Sequence, residues 1–350
     1  MTSSLSASAT IASLNAHFTR AARRRTRRGL PSPQVLVKAP GFEYSFGDRA
    51  LPFHTASIGK LATATMIMKR IAASEFELST PVAELLPSPI ISGLFSGTGA
   101  TVQHLLAHTS GAADYFGGPT SQGPNFIKLV LDQPDRTWKP EHLLSFSREK
   151  QQPIGVPGER FHYSDTGYIL LGLILEAVTA KPLTKLLREQ IFTPADMKNS
   201  VFWLREPGPT HISPAWLDGV EVSGFRSLTC DWAGGGIVST LDDLARFATG
   251  LADGTLLTAE QLTLMTTPQN RFRRGIEYGL GAMQLRFEGF MPLLRGLPTP
   301  VGHIGVLGTH CFIDPETETT VVLNFHDTRE MVASFRSHIH IVRQLHKLRT

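Results

Sequence analysis

The spacing of apolar positions changes several times along the chain, and each spacing predicts a different element. Between Thr10 and Ala22, Ile11, Leu14 and Phe18 recur at helical intervals and predict a short amphipathic helix. Gln34-Val35-Leu36-Val37-Lys38 and Phe42-Glu43-Tyr44-Ser45-Phe46 flank Pro40-Gly41 and predict a β-hairpin. A run from Leu61 to Met68 then shows no polar face until Lys69, which predicts a buried helix. From about Ser74 to Gly289, helical pieces alternate with Gly/Pro-rich loops and alternating strand patterns are scarce. Leu170 to Leu187 is the clearest helical stretch, with Lys181-Pro182 inside it, and Thr240-Leu241-Asp242-Asp243 opens another with a capping pattern. Gly117 to Gly123 is a polar, glycine-rich loop that reads as a rim or lid. Strand patterns return at Gly302–Val306, His310–Ile313 and Thr320–Leu323, before Met331, Phe335, Ile339, Val342 and Leu345 mark a closing amphipathic helix.

Strands at both ends with helices between them predict an α+β fold. One antiparallel sheet is assembled from the termini, flanked by N- and C-terminal helices, with a largely helical inserted domain. The expected division is 1–33 for an N-terminal helix and arginine-rich arm, 34–73 with 295–350 for the sheet domain, and 74–294 for the helical domain.

At 350 residues, 41% of them apolar and 18% charged, the chain suits one large domain or two intimate ones. Its net charge of +4 comes from one place: without the six arginines between Arg20 and Arg28 the balance is −2. The basic run reads as a solvated, mobile and dispensable arm, with contact to acidic lipid or nucleic acid as the alternative, and the body of the protein predicts no nucleic-acid partner. Cys230 and Cys311 form no CxxC pair, so no redox or zinc motif is expected. Gly29-Leu30-Pro31-Ser32-Pro33 follows the arginines in place of the apolar core of a signal peptide, and no apolar run reaches the roughly 18 residues of a membrane span. The expected location is cytoplasmic, without a membrane span, and no oligomeric state follows.

The candidate chemistry begins at Ala56-Ser57-Ile58-Gly59-Lys60, at the head of the buried run. On a helix, Ser57 and Lys60 share a face one turn apart, so an ammonium or amine can reach the hydroxyl and help activate it. N–H groups at the helix start can hold an oxyanion. A second S-x-x-K, Ser147 to Lys150, lies in polar text and reads as a solvated coincidence. Tyr163-Ser164-Asp165 precedes the helix from Gly167; a phenol beside a lysine has its pKa pulled down and becomes a candidate base. His303-Ile304-Gly305 lies on a predicted strand, where glycine permits close approach of a ligand to backbone. Gly234-Gly235-Gly236 reads as a tight turn, and His338, His340 and His346 as residues of a solvated helix with no role. There is no G-x-S-x-G elbow, H-E-x-x-H motif or phosphate loop, so no metal and no cofactor is expected.

Taken in order, Ser57-x-x-Lys60, Tyr163-x-Asp165 and His303-x-Gly305 resemble the serine β-lactamase and penicillin-binding-protein superfamily, nearest the branch of class C β-lactamases, D-Ala-D-Ala carboxypeptidases, D-aminopeptidases and family VIII esterases. The resemblance extends through Leu105-Leu106-Ala107-His108-Thr109-Ser110-Gly111, Pro157 to Tyr168, and Ala233 to Thr240. It implies a β-lactamase/transpeptidase-like fold and a serine hydrolase that forms a covalent acyl-enzyme on ester or amide bonds of small molecules or peptide-like substrates. Ser57 would be the nucleophile, Lys60 and Tyr163 its base pair, and the N–H groups of Ser57 and Val306 the oxyanion holders. His303, Gly305 and Asp165 would face substrate. The alternatives are β-lactamase or D-Ala-D-Ala carboxypeptidase activity, or a non-hydrolytic sensor or scaffold, against which the intact Ser57-Lys60-Tyr163 set argues. One departure is chemical: the second motif of the family usually ends in asparagine, which donates and accepts, whereas a carboxylate at Asp165 only accepts. Such a carboxylate holds Lys60 as ammonium, shifts base duty toward Tyr163 and disfavours anionic substrates.

Overall fold

The computed structural model describes residues 2–97 and 99–349, with side chains from Ala7 onward. Helix α1 (Thr2–Thr26) leads into the expected hairpin of β1 (Gln34–Ala39) and β2 (Phe42–Phe46). Gly41 turns the hairpin at φ +68°, a conformation open to glycine at no steric cost. β1 is buried on both faces: Val35 and Val37 pack under α1, and Leu36 packs toward the helical part. That double burial is why it reads as an apolar run rather than as an alternation.

Helix α2 (Gly59–Ala72) is buried at every residue from Gly59 to Met68, as a helix without a polar face requires. The helical part is carried by α3 (Pro140–Lys150), α4 (Asp165–Thr179) and α5 (Leu241–Ala252). The stretch from Leu170 to Leu187 divides: α4 ends at Ala180 in the left-handed region, and a separate short helix follows Lys181-Pro182. Thr240 caps α5 by accepting the Asp243 N–H, as its sequence predicts.

The remaining strands are β3 (Asn270–Arg273), β4 (Ile276–Tyr278), β5 (Met283–Leu285), β6 (Val301–Gly305), β7 (Thr309–Asp314) and β8 (Thr319–Asn324), followed by helix α6 (Met331–Arg349). One eight-stranded antiparallel sheet results, in the order β2-β1-β8-β7-β6-β5-β4-β3. β1 and β8 pair with Val37 opposite Val321, and β6 and β7 with His303 opposite Cys311. α1 and α6 cover one face of this sheet, and α2 with the helical part covers the other. Among the described residues no helix is long and apolar enough to cross a membrane.

Four expectations need correction. A boundary at 294/295 cuts the sheet, because β3, β4 and β5 belong to it. These strands are too short to display a period of two, and β3 reads Asn-Arg-Phe-Arg, the charged text of an edge strand. The arginine run is not a solvated arm. α1 continues to Thr26, and Arg25 lies on the face of the buried Leu14 and Phe18, while Ile11 is exposed. The Arg25 guanidinium donates to the carbonyls of Pro31 (2.8 Å) and Phe325 (2.7 Å) and pairs with Glu330 (3.2 Å). Ser147 is buried on α3, donating to Gln151 Oε1 (3.1 Å) and bonded to Thr166 Oγ1 (3.0 Å), so it is a structural hydroxyl and not a solvated one.

His338, finally, is buried against His310 and does not ride a solvated face. Ser334 gives its proton to the Met331 carbonyl, so it accepts from His310 Nε2 at 2.8 Å. His310 Nδ1 is then left to accept from His338 Nδ1 at 3.2 Å. The bond between the rings holds only while His310, whose Nδ1 accepts, is neutral.

Breaking a buried ion pair strands its partner, at about 3–5 kcal/mol. Arg25→Met therefore lowers the stability measured in urea by up to that amount, Glu330 keeping Arg28 as a partner, whereas Arg23→Gln and Arg27→Gln, both exposed, shift it by less than about 0.5 kcal/mol. Equal effects at all three positions would refute the anchoring role of Arg25.

Candidate active site

Ser57 stands on a pinched turn. The strand Phe53–His54 pairs with Ile237–Ser239, and the chain then passes through Ala56 at φ +49° into one turn of 3-10 helix before α2. A non-glycine residue in that region costs on the order of 1–3 kcal/mol and needs its surroundings to hold it. Thr55 is bonded through both N–H and hydroxyl to the Ile237 carbonyl (2.9 Å each), and the Thr309 hydroxyl donates to the Thr55 carbonyl (3.0 Å). The Ala56 N–H donates to His54 Nδ1 at 3.2 Å.

Two glycines let the walls close on this turn. A Cβ on Gly305 would lie 2.7 Å from the Thr55 oxygen and 2.8 Å from the Ala56 Cβ, and one on Gly235 would lie 2.8 Å from the Ala56 oxygen. Gly305 thus admits the backbone that carries the candidate nucleophile, where a ligand was expected. The glycine triplet, read from sequence as a mere turn, forms the opposite wall, and its Gly234 carbonyl faces Lys60.

Lys60 is fully buried, and its Nζ is surrounded by three acceptors: Ser57 Oγ at 3.1 Å, the Gly234 carbonyl at 2.9 Å, and Asp165 Oδ1 in an ion pair. Three acceptors match the three donors of an ammonium. Burial alone pushes Lys60 down, but Asp165 and Tyr163 together outweigh it and hold the group above the ordinary lysine value. The Tyr163 hydroxyl interacts with both Ser57 and Lys60. Its pKa nevertheless moves opposite to expectation: burial raises it, and the pull of Lys60 does not compensate. Asp165 stands in the first turn of α4, where the helix dipole favours a negative charge, and its N–H donates to Asp114 Oδ1 at 3.0 Å. Burial, with Asp165 second, lifts both Asp114 and Asp231 to about 7.

His303 does not face the cavity as a substrate ligand. Its Nδ1 can only donate to the Ile304 carbonyl (2.6 Å), so its Nε2 accepts from the Tyr278 hydroxyl (3.2 Å). His108 Nδ1 accepts the Ser164 N–H (3.1 Å), which leaves Nε2–H to donate to the same Tyr278 oxygen (3.0 Å). Both tautomers are therefore set by the backbone. Burial pushes His303 down to about 3, with Lys60 adding to the effect. The His108 ring packs on Tyr163 at 4.2 Å between centroids, tilted by 35°, so the chain His108–Tyr278–His303 supports the phenol ring. Tyr278 carried no sequence signal: it is one aromatic in a three-residue strand.

Ser57 and Tyr163 open into a cavity of about 360 Å³. Its walls are apolar (Phe272, Ile276, Met283, Ile304, Met331 and Phe335), with Val306 and Arg273 also lining it. Val306, 41% exposed, follows the last residue of β6. The loop 117–123 does not line this cavity; Asp114 ties its start by accepting the N–H groups of Phe116 (3.2 Å) and Gly117 (2.9 Å).

The sequence profile of the Beta-lactamase family matches residues 48–342, most of the chain. The chain belongs to the beta-lactamase family. Within that family it is 29% identical to penicillin-binding protein 4 of Amycolatopsis lactamdurans over 43% of its length and 35% of the relative's. It is 27% identical to the D-alanyl-D-alanine-carboxypeptidase/endopeptidase AmpH of Escherichia coli (strain K12), over 55% of its length and 46% of the relative's. Each alignment thus spans less than half the length of the relative. The beta-lactamase-family fold is shared with a D-stereospecific amidohydrolase from Streptomyces sp. at a TM-score of 0.76 and 24% identity, over 90% of this chain and 94% of that one.

The buried rings set a pH dependence. Burial lowers His54 to about 4 and His303, His326 and His338 to about 3, whereas unfolded histidine titrates near 6.5. Below about pH 6.5 the unfolded chain holds protons that the folded chain refuses, so this stability is complete above that pH and declines as pH falls. Asp114 and Asp231 act oppositely, binding protons in the folded state up to about 7, but they are fewer. The urea midpoint falls between pH 6.5 and pH 5; a flat or rising midpoint would show that these rings are not held neutral.

Proposed function

We propose that this protein is a serine hydrolase that forms an acyl-enzyme at Ser57 on ester or amide bonds of small substrates. The observation that carries this reading is the fully buried Lys60, with every Nζ donor engaged and one of them 3.1 Å from Ser57 Oγ. With Lys60 donating to that oxygen, the Ser57 proton is directed to Tyr163. Ser57 Oγ attacks the carbonyl carbon as its proton passes to the Tyr163 phenolate, and the N–H groups of Ser57 and Val306 hold the oxyanion. Collapse expels the alcohol or amine, which takes the proton back from Tyr163; water then repeats the sequence and releases the acid. Lys60 stays a cation throughout and stabilises the phenolate. The reaction would occur between a sheet domain (34–73 with 270–350) and the helical domain inserted at 74–269.

The apolar cavity favours an acyl or side-chain group of alkyl or aryl character. A second reading, substrates that carry a carboxylate as β-lactams and D-Ala-D-Ala peptides do, is favoured by Arg273. Its guanidinium lies 5.4 Å over the Phe272 ring at the cavity, and among the described residues it has no ion-pair partner. Asp165 opposes that reading.

A fluorophosphonate probe labels wild-type protein at Ser57 in one-to-one stoichiometry, and Ser57→Ala abolishes both labelling and p-nitrophenyl butyrate turnover, by on the order of 10⁴ or more. Ser147→Ala retains labelling. Labelling that survives in Ser57→Ala would remove the central assignment.

Because burial keeps the Tyr163 phenol protonated at neutral pH, the acylation rate climbs with pH through the alkaline range. In Asp165→Asn the carboxylate that raises both Lys60 and Tyr163 is gone, so the climb begins at lower pH and nitrocefin turnover rises relative to the butyrate ester. Stopped-flow acylation between pH 6 and 10 tests this; a variant profile superimposable on wild type would rule out Asp165 as the controlling charge.

A further inference from the structure

The basic run left unexplained by the candidate active site forms one wall of a second concavity. α1 and α6 lie antiparallel, with Ser13 beside His340, His17 beside Ser337, and Arg25 beside Glu330. Between them is a groove of about 370 Å³. Arg20 and Arg24 line it from α1 and Arg28 from the turn just beyond it; Arg329 and Arg336 line it from the start of α6 and the turn before it. Arg25 lies at its base.

Charge in this groove is uncompensated. Its only carboxylate, Glu330, is buried and already engaged by Arg25 and Arg28. Arg20, Arg24 and Arg336 are exposed and have no ion-pair partner among the described residues. Like charges four apart on a helix destabilise it by about 0.2–0.5 kcal/mol per pair, so Arg20 and Arg24 side by side on α1 are unfavourable unless an anion bridges them. The groove also accounts for the charge anomaly of the chain, since the body without the arginine run has a net charge of −2.

We propose that this groove is a binding site for a ligand carrying several phosphate groups, distinct from the cavity at Ser57. Guanidinium groups bind phosphate oxygens in bidentate pairs, and three unpaired ones around one concavity, Arg20, Arg24 and Arg336, match a multiply charged anion better than a singly charged one. The groove offers no aromatic platform on which bases would stack: its rings are Phe325, which is buried, and His17, which packs face to face on His340 at 4.5 Å. That favours a compact polyphosphate or the headgroup of an anionic lipid over single-stranded nucleic acid. The first two turns of α6 separate the two sites, with Met331 and Phe335 lining the cavity and Val332 and Arg336 lining the groove.

The test is calorimetric titration of the full chain with sodium tripolyphosphate and with monophosphate, together with flotation on phosphatidylcholine vesicles with and without phosphatidylinositol 4,5-bisphosphate. Tripolyphosphate binds at least tenfold more tightly than monophosphate, and added salt weakens it. The triple variant Arg20→Gln/Arg24→Gln/Arg336→Gln, which leaves the Arg25–Glu330 pair intact, loses at least tenfold. Arg336→Gln alone is measured beside it, so that a folding defect in the triple variant leaves the comparison standing. Binding of tripolyphosphate without flotation identifies a soluble ligand, and flotation that requires phosphatidylinositol 4,5-bisphosphate identifies a headgroup; either supports the site. Absence of both, equal binding by wild type and the variants, or tighter binding of a duplex oligonucleotide than of tripolyphosphate would overturn it.

Discussion

A single ammonium inside a dry core constrains most of this structure. Lys60 has no access to water, and its charge is tolerated because Ser57, Asp165 and the Gly234 carbonyl receive all three of its protons. Those acceptors come from three separate parts of the chain. The turn before α2, the N-terminus of α4 and the glycine triplet before α5 must therefore converge within hydrogen-bond distance of one atom. The apolar character of α2 follows from the same demand, since a helix that delivers a charge to the centre of the protein has no face left for solvent.

The electrostatic consequence is a site rich in acid. Asp165 satisfies the ammonium, while Asp114 and Asp231 are buried nearby and raised toward neutrality by burial and by Asp165. Around this cluster the histidines are neutral, each with a tautomer dictated by a backbone or side-chain partner. His108 and His303 meet at the Tyr278 hydroxyl and brace Tyr163 without adding positive charge beside Lys60. A protonated ring at either place would compete with the lysine for the one carboxylate that balances it.

The opposite face of the sheet solves a different problem with the same chemistry. Arg25 is buried because Glu330 and the Phe325 carbonyl meet it there. Its neighbours at Arg20, Arg24 and Arg336 find no such partner among the described residues and line an open groove. One run of arginines thus divides into an anchor and a charged surface, according to which side of α1 each residue occupies.

Local pattern was enough for the hairpin, the buried α2, the Thr240 cap, the three C-terminal strands and α6, because each depends on spacing within one segment. Ser57, Lys60, Tyr163 and Asp165 came together as a candidate set through the order of three motifs and their resemblance to a family, since a hydroxyl and an ammonium three apart are weak evidence alone and recur at Ser147 and Lys150. Local pattern missed β3 to β5, which are too short to show a period, and Tyr278, whose importance lies in two histidines far from it in sequence. It misjudged Arg25, Ser147 and His338, because polarity predicts exposure unless a distant partner removes the cost of burial. The sign of the Tyr163 shift also lay outside its reach. A lysine beside a phenol is a local fact that lowers the pKa, but the burial that raises it depends on every segment packed around the ring. Sequence by itself named the residues proposed to carry the chemistry; only the tertiary structure decided their charge states, because desolvation is a property of the whole fold.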